Sequence, residues 1–359
     1  MSGTPPQGII GETPISRPFQ GAIENRVLSR PLTARRLAKH RQSAERRAQI
    51  TDLKLNWNDR AVFYSLLGIL HLFSLIPVFV LRPLGVAGGW LAYLIDRRHV
   101  RIGMRNLEIA FPERSVAERR RILRASYMNL GRSFAEYIRL GGFFYRRVKK
   151  KVTYNRFEYW DEIKRRYPGK GILVVTAHFG NFEWLMAAHA LHGYQIGMVH
   201  HTQRFLPGDA LMTFIRERAG VRIIRKHAAA RGVLKALRRG EIIGIPFDQN
   251  AKRSEAAFVP FFGELAATAT GLARLVAISG APVVPVFIVR QPNRRTHQIE
   301  IHDEIPIQRS ADPAADIEEN TRRFVKPVED IVRRYPEQFL WMHRRYKTRP
   351  RGAPQIYDT

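Results

Sequence analysis

Apolar residues are distributed unevenly along the chain. From Ala61 to Leu81 they form its one long uncharged run, AVFYSLLGILHLFSLIPVFVL. The 21 residues reach the roughly 20 that a helix needs to cross a bilayer. Ser65, His71, Ser74 and Pro77 interrupt the run. A second apolar stretch, Leu84 to Ile95, lies between Arg82 and Asp96-Arg97-Arg98. Three readings fit the pair: a single span, a hairpin lying in the interface, or a buried helical pair. Basic residues on both sides leave the orientation undetermined.

Beyond residue 115 the pattern changes. Ile122, Leu123, Tyr127, Leu130, Phe134 and Ile138 recur at helical spacing and predict a helix over Ala117–Arg139. Short β-like runs then alternate with helical segments. Strands are predicted at Ile172–Thr176, Ile196–His200, Val221–Ile224, Ile242–Pro246, Val283–Val289 and Gln298–Ile301. Helices are predicted near Phe182–His192, Gly208–Ala219, Ala229–Arg239, Thr268–Ser279 and Ile317–Arg334. Such alternation defines an α/β fold with a mostly parallel central sheet flanked by helices. The expected organisation is a basic tail over 1–56 and a hydrophobic, membrane-associating helical segment over 57–114. An α/β domain follows over 115–350, and a short C-terminal tail over 351–359.

Composition narrows the chemistry. The 359 residues carry 60 Lys+Arg against 31 Asp+Glu, a formal net charge of +29, and no cysteine. Disulfides, Cys-ligated metal and thiol nucleophiles are therefore excluded. The basic excess suits a polyanion: nucleic acid, an anionic membrane or a phosphorylated substrate. Residues 1–56 read either as a solvated arm or as an arm lying on anionic lipid, and no secretory signal is evident.

The most informative window is Gly171–Trp184, GILVVTAHFGNFEW. An apolar strand leads to His178, Gly180-Asn181 make a turn, and Glu183 opens a helix. Sites in open α/β sheets form at the carboxyl ends of strands. Across a strand–turn–helix junction, the Glu183 carboxylate can accept a hydrogen bond from one imidazole nitrogen. That would fix the tautomer while the other nitrogen takes a proton. Such a dyad, with no nucleophile of its own, suits proton abstraction from a bound hydroxyl. Asn181 reads as the N-cap of the following helix.

Four blocks in order resemble the bacterial lipid A biosynthesis acyltransferases, within the glycerolipid and lysophospholipid acyltransferase superfamily. They are RNLEIAFPE (Arg105–Glu113), AHFGNFEW (Ala177–Trp184), FVPFFGELAATATGLARL (Phe258–Leu275) and PEQFLWMHRRYKTRP (Pro336–Pro350). Together they cover roughly residues 58–350. The resemblance implies transfer of an acyl chain from a thioester, acyl-acyl carrier protein or acyl-coenzyme A, to a hydroxyl of a lipid A precursor. No other cofactor is implied. By motif match His178 is the general base and Glu183 its orienting partner. Arg216, in Arg216-Glu217-Arg218, matches a family arginine. Asp248, in IPFDQN, matches a family aspartate, with Asn250 and Ala251 where the family more often has Asp and Gly.

Arg216 is open to two roles, binding a phosphate or oxyanion and serving as a surface helix charge. Asp248 could bind a sugar hydroxyl, pair with Arg216 or cap a loop. Phe258–Phe262 reads as a packed core strand or an acyl groove, and Arg344, Arg345, Lys347 and Arg349 as contacts to lipid phosphates or an acidic carrier. No metal is assigned, because no HExxH-type motif accompanies the histidines. The implied location is the bacterial inner membrane, with the catalytic domain on its cytoplasmic side. Two alternatives stand beside this reading. One is acylation of another glycolipid, such as a phosphatidylinositol mannoside. The other is a non-catalytic basic protein binding nucleic acid or membrane, although no helix-turn-helix, zinc-finger or RNA-recognition pattern is present.

Overall fold

Pro77 breaks the longest apolar run. In the computed structural model, which describes residues 55–225 and 229–357, the run is split between two helices, so Ala61–Leu81 is not one continuous span. Helix α1 (Trp57–Leu75) stops before the proline and α2 (Val78–Ile95) starts after it. Proline has no N–H to continue the first helix, and it pushes the preceding Ile76 into extended backbone, φ −60° and ψ 131°. Helix α1 begins at a reciprocal cap between Asn56 and Asp59. The expected tail over 1–56 lies outside the described residues apart from Leu55 and Asn56.

Both helices pack on the body of the protein. Helix α3 (Arg97–Ala110) and the long α4 (Val116–Gly141) follow them. Gly85 and Gly89 of α2 lie backbone to backbone against α4. A Cβ at Gly85 would sit 2.4 Å from the Gly131 carbonyl oxygen, and one at Gly89 2.3 Å from that of Tyr127. The outward face of α2 keeps Phe79, Leu84, Trp90 and Ile95 exposed, and α1 exposes Trp57 and Leu72. Among the described residues α2 is long and apolar enough to cross a membrane, by length and composition.

The α/β unit follows the predicted alternation. In chain order it runs β1 (Val152–Tyr154), α5 (Tyr159–Arg166), β2 (Ile172–Thr176), α6 (Phe182–Leu191), β3 (Ile196–His200), α7 (Leu206–Arg218) and β4 (Arg222–Arg225). Then come α8 (Ala229–Leu237), β5 (Ile242–Pro246), β6 (Ala256–Phe261), β7 (Glu264–Ala269), α9 (Gly271–Ser279), β8 (Val283–Arg290), β9 (His297–Ile301) and α10 (Pro313–Arg334). The sheet order is β1-β9-β8-β2-β5-β3-β4. Within it only β8 and β9 pair antiparallel.

Strand alternation divides the core between the two faces of this sheet. Leu173, Val175 and Ile243 face α3, α8, α9 and α10, whereas Ile172, Val174 and Ile242 face α5, α6 and α7. The expected strands 172–176, 196–200 and 242–246 form with those limits. One departure concerns Thr268, expected in a helix. It lies in β7, which pairs with β6 as a hairpin, and α9 starts only at Gly271. Val259 and Phe261 of that hairpin are buried in the core, which bears out the core-strand reading of Phe258–Phe262.

Candidate active site

Register brings the site together. Strands β2 and β5 run parallel with Thr176 opposite Pro246. His178 and Asp248 each lie two residues further on, so both emerge at the same carboxyl edge. The ladder is extended one step by a hydrogen bond from Phe247 N–H to the Thr176 carbonyl, 2.8 Å. Asp248 then takes His178 from two sides. One carboxylate oxygen, Oδ1, accepts from the His178 backbone N–H at 3.1 Å and from ring Nδ1 at 3.0 Å, and Oδ2 is 3.2 Å from Nδ1.

The carboxylate has no proton to give, so Nδ1 carries the hydrogen and the Nε2 lone pair is free. Nε2 points toward the Gln249 amide at 3.4 Å, and Phe182 meets the ring edge-on. Asp248 is buried while the His178 side chain retains 22% of its exposure. Burial alone would lower the imidazole pKa. The Asp248 charge and hydrogen bond outweigh it, with a smaller push from Glu183, and the pKa is raised. Burial likewise opposes ionisation of Asp248, but His178 holds its pKa below the usual value.

The expected hydrogen bond from His178 to Glu183 is therefore replaced by one from His178 to Asp248. Glu183 sits on the first turn of α6 and faces α7, where Arg216 offers a planar fork. Arg216 Nε donates to Glu183 Oε2 at 2.9 Å and Nη2 to Oε1 at 2.5 Å. Its third nitrogen, Nη1, donates to His200 Nδ1 at 2.8 Å. Arg216 is buried and directed inward, and neither a surface-charge role nor pairing with Asp248 describes it. The chain continues from His200 Nε2–H to Asp209 Oδ1 at 2.6 Å, and Arg225 Nη1 closes it on Asp209 Oδ2 at 2.7 Å. His200 is neutral, since burial lowers its pKa and Arg216 can only donate to Nδ1.

His200, Asp209 and Arg225 were not assigned to the site from sequence. The available signal was position, because His200 ends β3 at the same sheet edge. Replacing Glu183 by Gln leaves the Arg216 charge buried without its partner. We expect a stability cost of about 3–5 kcal/mol, read by denaturant titration, with turnover reduced but less than by loss of His178.

The first and fourth sequence blocks support this edge from behind. Asn106 of α3 donates to the carbonyls of Trp341 (2.6 Å) and His343 (2.8 Å). The Leu340 N–H donates to the His178 carbonyl at 3.2 Å, and Gly180 N–H to that of Gln338 at 2.8 Å. Gly180 has φ +57°, and a Cβ there would come 2.0 Å from the Ile288 carbonyl oxygen, so the turn after His178 requires glycine. Asn181 caps α6, accepting from Trp184 N–H at 3.2 Å.

Asn250 and its neighbours hold the Asp248 loop. The Asn250 N–H donates to His343 Nε2 at 3.0 Å, and its side chain exchanges hydrogen bonds with Thr348. Arg345 reaches the Ala267 carbonyl (2.9 Å) and Thr268 hydroxyl (2.5 Å), and Arg349 the Leu265 carbonyl (2.6 Å). Both are buried, so these two arginines brace the β6–β7 hairpin and do not face lipid or a carrier. A polar cavity of about 670 Å³, lined by Arg156, Tyr167, Pro282 and Glu304 among others, lies at the opposite, amino-terminal ends of β2 and β8 and does not include the site.

An imidazole held by a buried carboxylate at the carboxyl edge of a parallel sheet has the geometry that proton transfer requires. A family model described as bacterial lipid A biosynthesis acyltransferase matches residues 50–348. The chain belongs to that family and is an acyltransferase. It is 31% identical over 293 residues to the lipid A biosynthesis lauroyltransferase of Escherichia coli K12, covering 81% of this chain and 93% of that protein. It is 30% identical over 298 residues to the lipid A biosynthesis palmitoleoyltransferase of the same strain, covering 81% and 92%. The myristoyltransferase of that strain is 26% identical over 280 residues, covering 77% and 83%. Membership of an enzyme family overturns the non-catalytic reading.

Proposed function

We propose that the protein transfers a fatty acyl chain from an acyl thioester, acyl-acyl carrier protein, to a hydroxyl of a lipid A precursor, with His178 as general base. The observation that carries this reading is the His178–Asp248 pair. Asp248 holds Nδ1–H and leaves the Nε2 lone pair, with the Gln249 amide 3.4 Å away, to take the acceptor hydroxyl proton. The acceptor oxygen attacks the thioester carbonyl, the C–S bond breaks, and the imidazolium returns the proton to the departing thiolate. No acyl-enzyme forms on cysteine, since the chain has none. The Asp248 charge stabilises the imidazolium formed midway. Glu183 adds negative charge near the ring, offset in part by the Arg216 that holds it, and fixes the start of α6. Arg216 is a positioning residue in this scheme.

The exposed faces of α1 and α2, with Trp57 and Trp90 on them, support bedding of the protein in a membrane, which in this reading is the cytoplasmic leaflet of the bacterial inner membrane. In this reading the acyl chains and the lipid acceptor lie beside the catalytic edge. Carbonate washing of membranes is expected to leave the protein in the pellet, because apolar burial survives loss of electrostatic contacts. Full release by high salt alone would contradict bedding by α1 and α2.

The acceptor is tested by mass spectrometry of lipids from cells lacking and regaining the gene. The expected result is lipid A short of one acyl chain, restored on complementation. Loss of a chain from another glycolipid, with lipid A unchanged, would transfer the assignment to that acceptor.

A further inference from the structure

We propose that Arg132 and Arg294 form a binding site for a lipid-borne phosphate beside the catalytic loop, a step that rests on the acyltransferase reading above. The proposal starts from a charge imbalance. Arg82 of α2, Arg132 of α4, Arg290 at the end of β8 and Arg294 in the β8–β9 loop gather where these elements meet. The carboxylate among them is Glu136, and its oxygens are already engaged. They accept from Arg290 Nη1 at 2.7 Å and Nη2 at 2.9 Å, from Arg82 Nε at 3.1 Å and from Asn181 Nδ2 at 2.8 Å. The neighbouring His297 adds no positive charge of its own, as burial pushes its pKa down to about 3.

Arg132 and Arg294 are left, among the described residues, without a carboxylate in hydrogen-bond contact. Arg132 is half-buried. Burial lowers its pKa, followed by the like charges of Arg294 and Arg290, and only Glu136 opposes them. With Glu136 fully engaged, the half-buried Arg132 and the exposed Arg294 leave a net positive site, open to solvent, that attracts an anion. Guanidinium forks suit a phosphate, which offers several oxygens and up to two charges.

The site is fixed in place. The Asn293 side chain accepts from the backbone N–H groups of Arg295 (2.8 Å) and Thr296 (3.0 Å), and Arg82 Nη2 donates to the Arg295 carbonyl at 2.9 Å. Arg294 itself is held in left-handed backbone, φ +54°. Its position relative to the chemistry is also set. Strand β8 runs parallel to β2, so Arg290 ends at the same sheet edge as His178. Ser133, next to Arg132, donates to the Gly180 carbonyl at 3.3 Å, two residues from His178. The exposed apolar face of α2 adjoins on the other side. A lipid whose phosphate rests here can keep its chains along α2.

The phosphate could belong to the acceptor or to a bilayer phospholipid, and two assays separate these sources. Full-length protein in detergent micelles is assayed as wild type, as Arg132→Gln/Arg294→Gln and as Arg132→Lys/Arg294→Lys, with a phosphorylated lipid A precursor and with the same lipid dephosphorylated. An acceptor phosphate predicts a KM raised about tenfold or more in the Gln variant, kcat within about twofold, and partial rescue by Lys. With the dephosphorylated lipid the three proteins should share one KM. Flotation with phosphatidylglycerol or phosphatidylcholine vesicles reads the other source. Loss of phosphatidylglycerol-dependent flotation in the Gln variant, with KM unchanged, assigns the phosphate to the bilayer. Unchanged KM together with unchanged flotation overturns the site, as does a KM shift that persists without phosphate. No turnover by wild type would defeat the acyltransferase reading instead, and flotation would still test the site.

Discussion

Replacing His178 with alanine is expected to cut turnover by roughly 10²–10⁴-fold, the range for a positioned acid–base group, with the fold retained. The fold should survive because the residue holds its place through its backbone. Its N–H still donates to Asp248 and its carbonyl still accepts from Leu340 N–H. The ring's contacts with Asp248, Phe182 and the Gln249 amide are lost. Turnover per folded molecule, with folding checked by circular dichroism, measures the effect. A folded His178→Ala protein with near-normal acyl transfer would remove the imidazole from the chemistry.

Replacing Asp248 with asparagine should be comparably severe, for a reason of tautomers. The aspartate accepts both the His178 backbone N–H and the ring Nδ1–H. An asparagine oxygen in the Oδ1 position can keep the backbone bond, but the amide that replaces Oδ2 then sits 3.2 Å from Nδ1 as a competing donor. The hold on the Nδ1–H tautomer is weakened, and the charge that stabilises the imidazolium is gone. A loss on the order of 10²–10⁴-fold follows.

The pH profile separates this from simple disruption. In wild type the base form grows as pH rises through the His178 pKa, which lies above its ordinary value. The acid limb of kcat/KM should therefore lie above pH ~6.5. Without the Asp248 charge, burial dominates and the pKa falls, so the limb moves to lower pH. An acid limb unmoved in Asp248→Asn would show that the limb reports another group.

Much of the edge that carries the site was legible in the sequence. An apolar run ending in a histidine and a glycine turn is sufficient to place His178 beyond a strand, and β2, β3 and β5 form with their expected limits. The partner of His178 was less legible, because it depends on which strands are neighbours. Glu183 is close in sequence, but Asp248 is placed by the register of Thr176 against Pro246, a contact 70 residues apart. The inward turn of Arg216 depends in the same way on α6 and α7 packing on one face of the sheet. Arg345 and Arg349 belong to a basic stretch whose burial is invisible until the β6–β7 hairpin meets it. Pro77 was visible as an interruption, yet whether it kinks or ends a helix is decided by how α1 and α2 pack.

The central claim is that this site moves an acyl chain onto a lipid A precursor with His178 as base. Its most direct test is incubation of the detergent-solubilised full-length protein with acyl-acyl carrier protein and a lipid A precursor, read by mass. The account predicts a product heavier than the precursor by one acyl chain, formed by wild type and lost in His178→Ala. No acylated precursor from any acyl thioester, by protein shown to be folded, would contradict it.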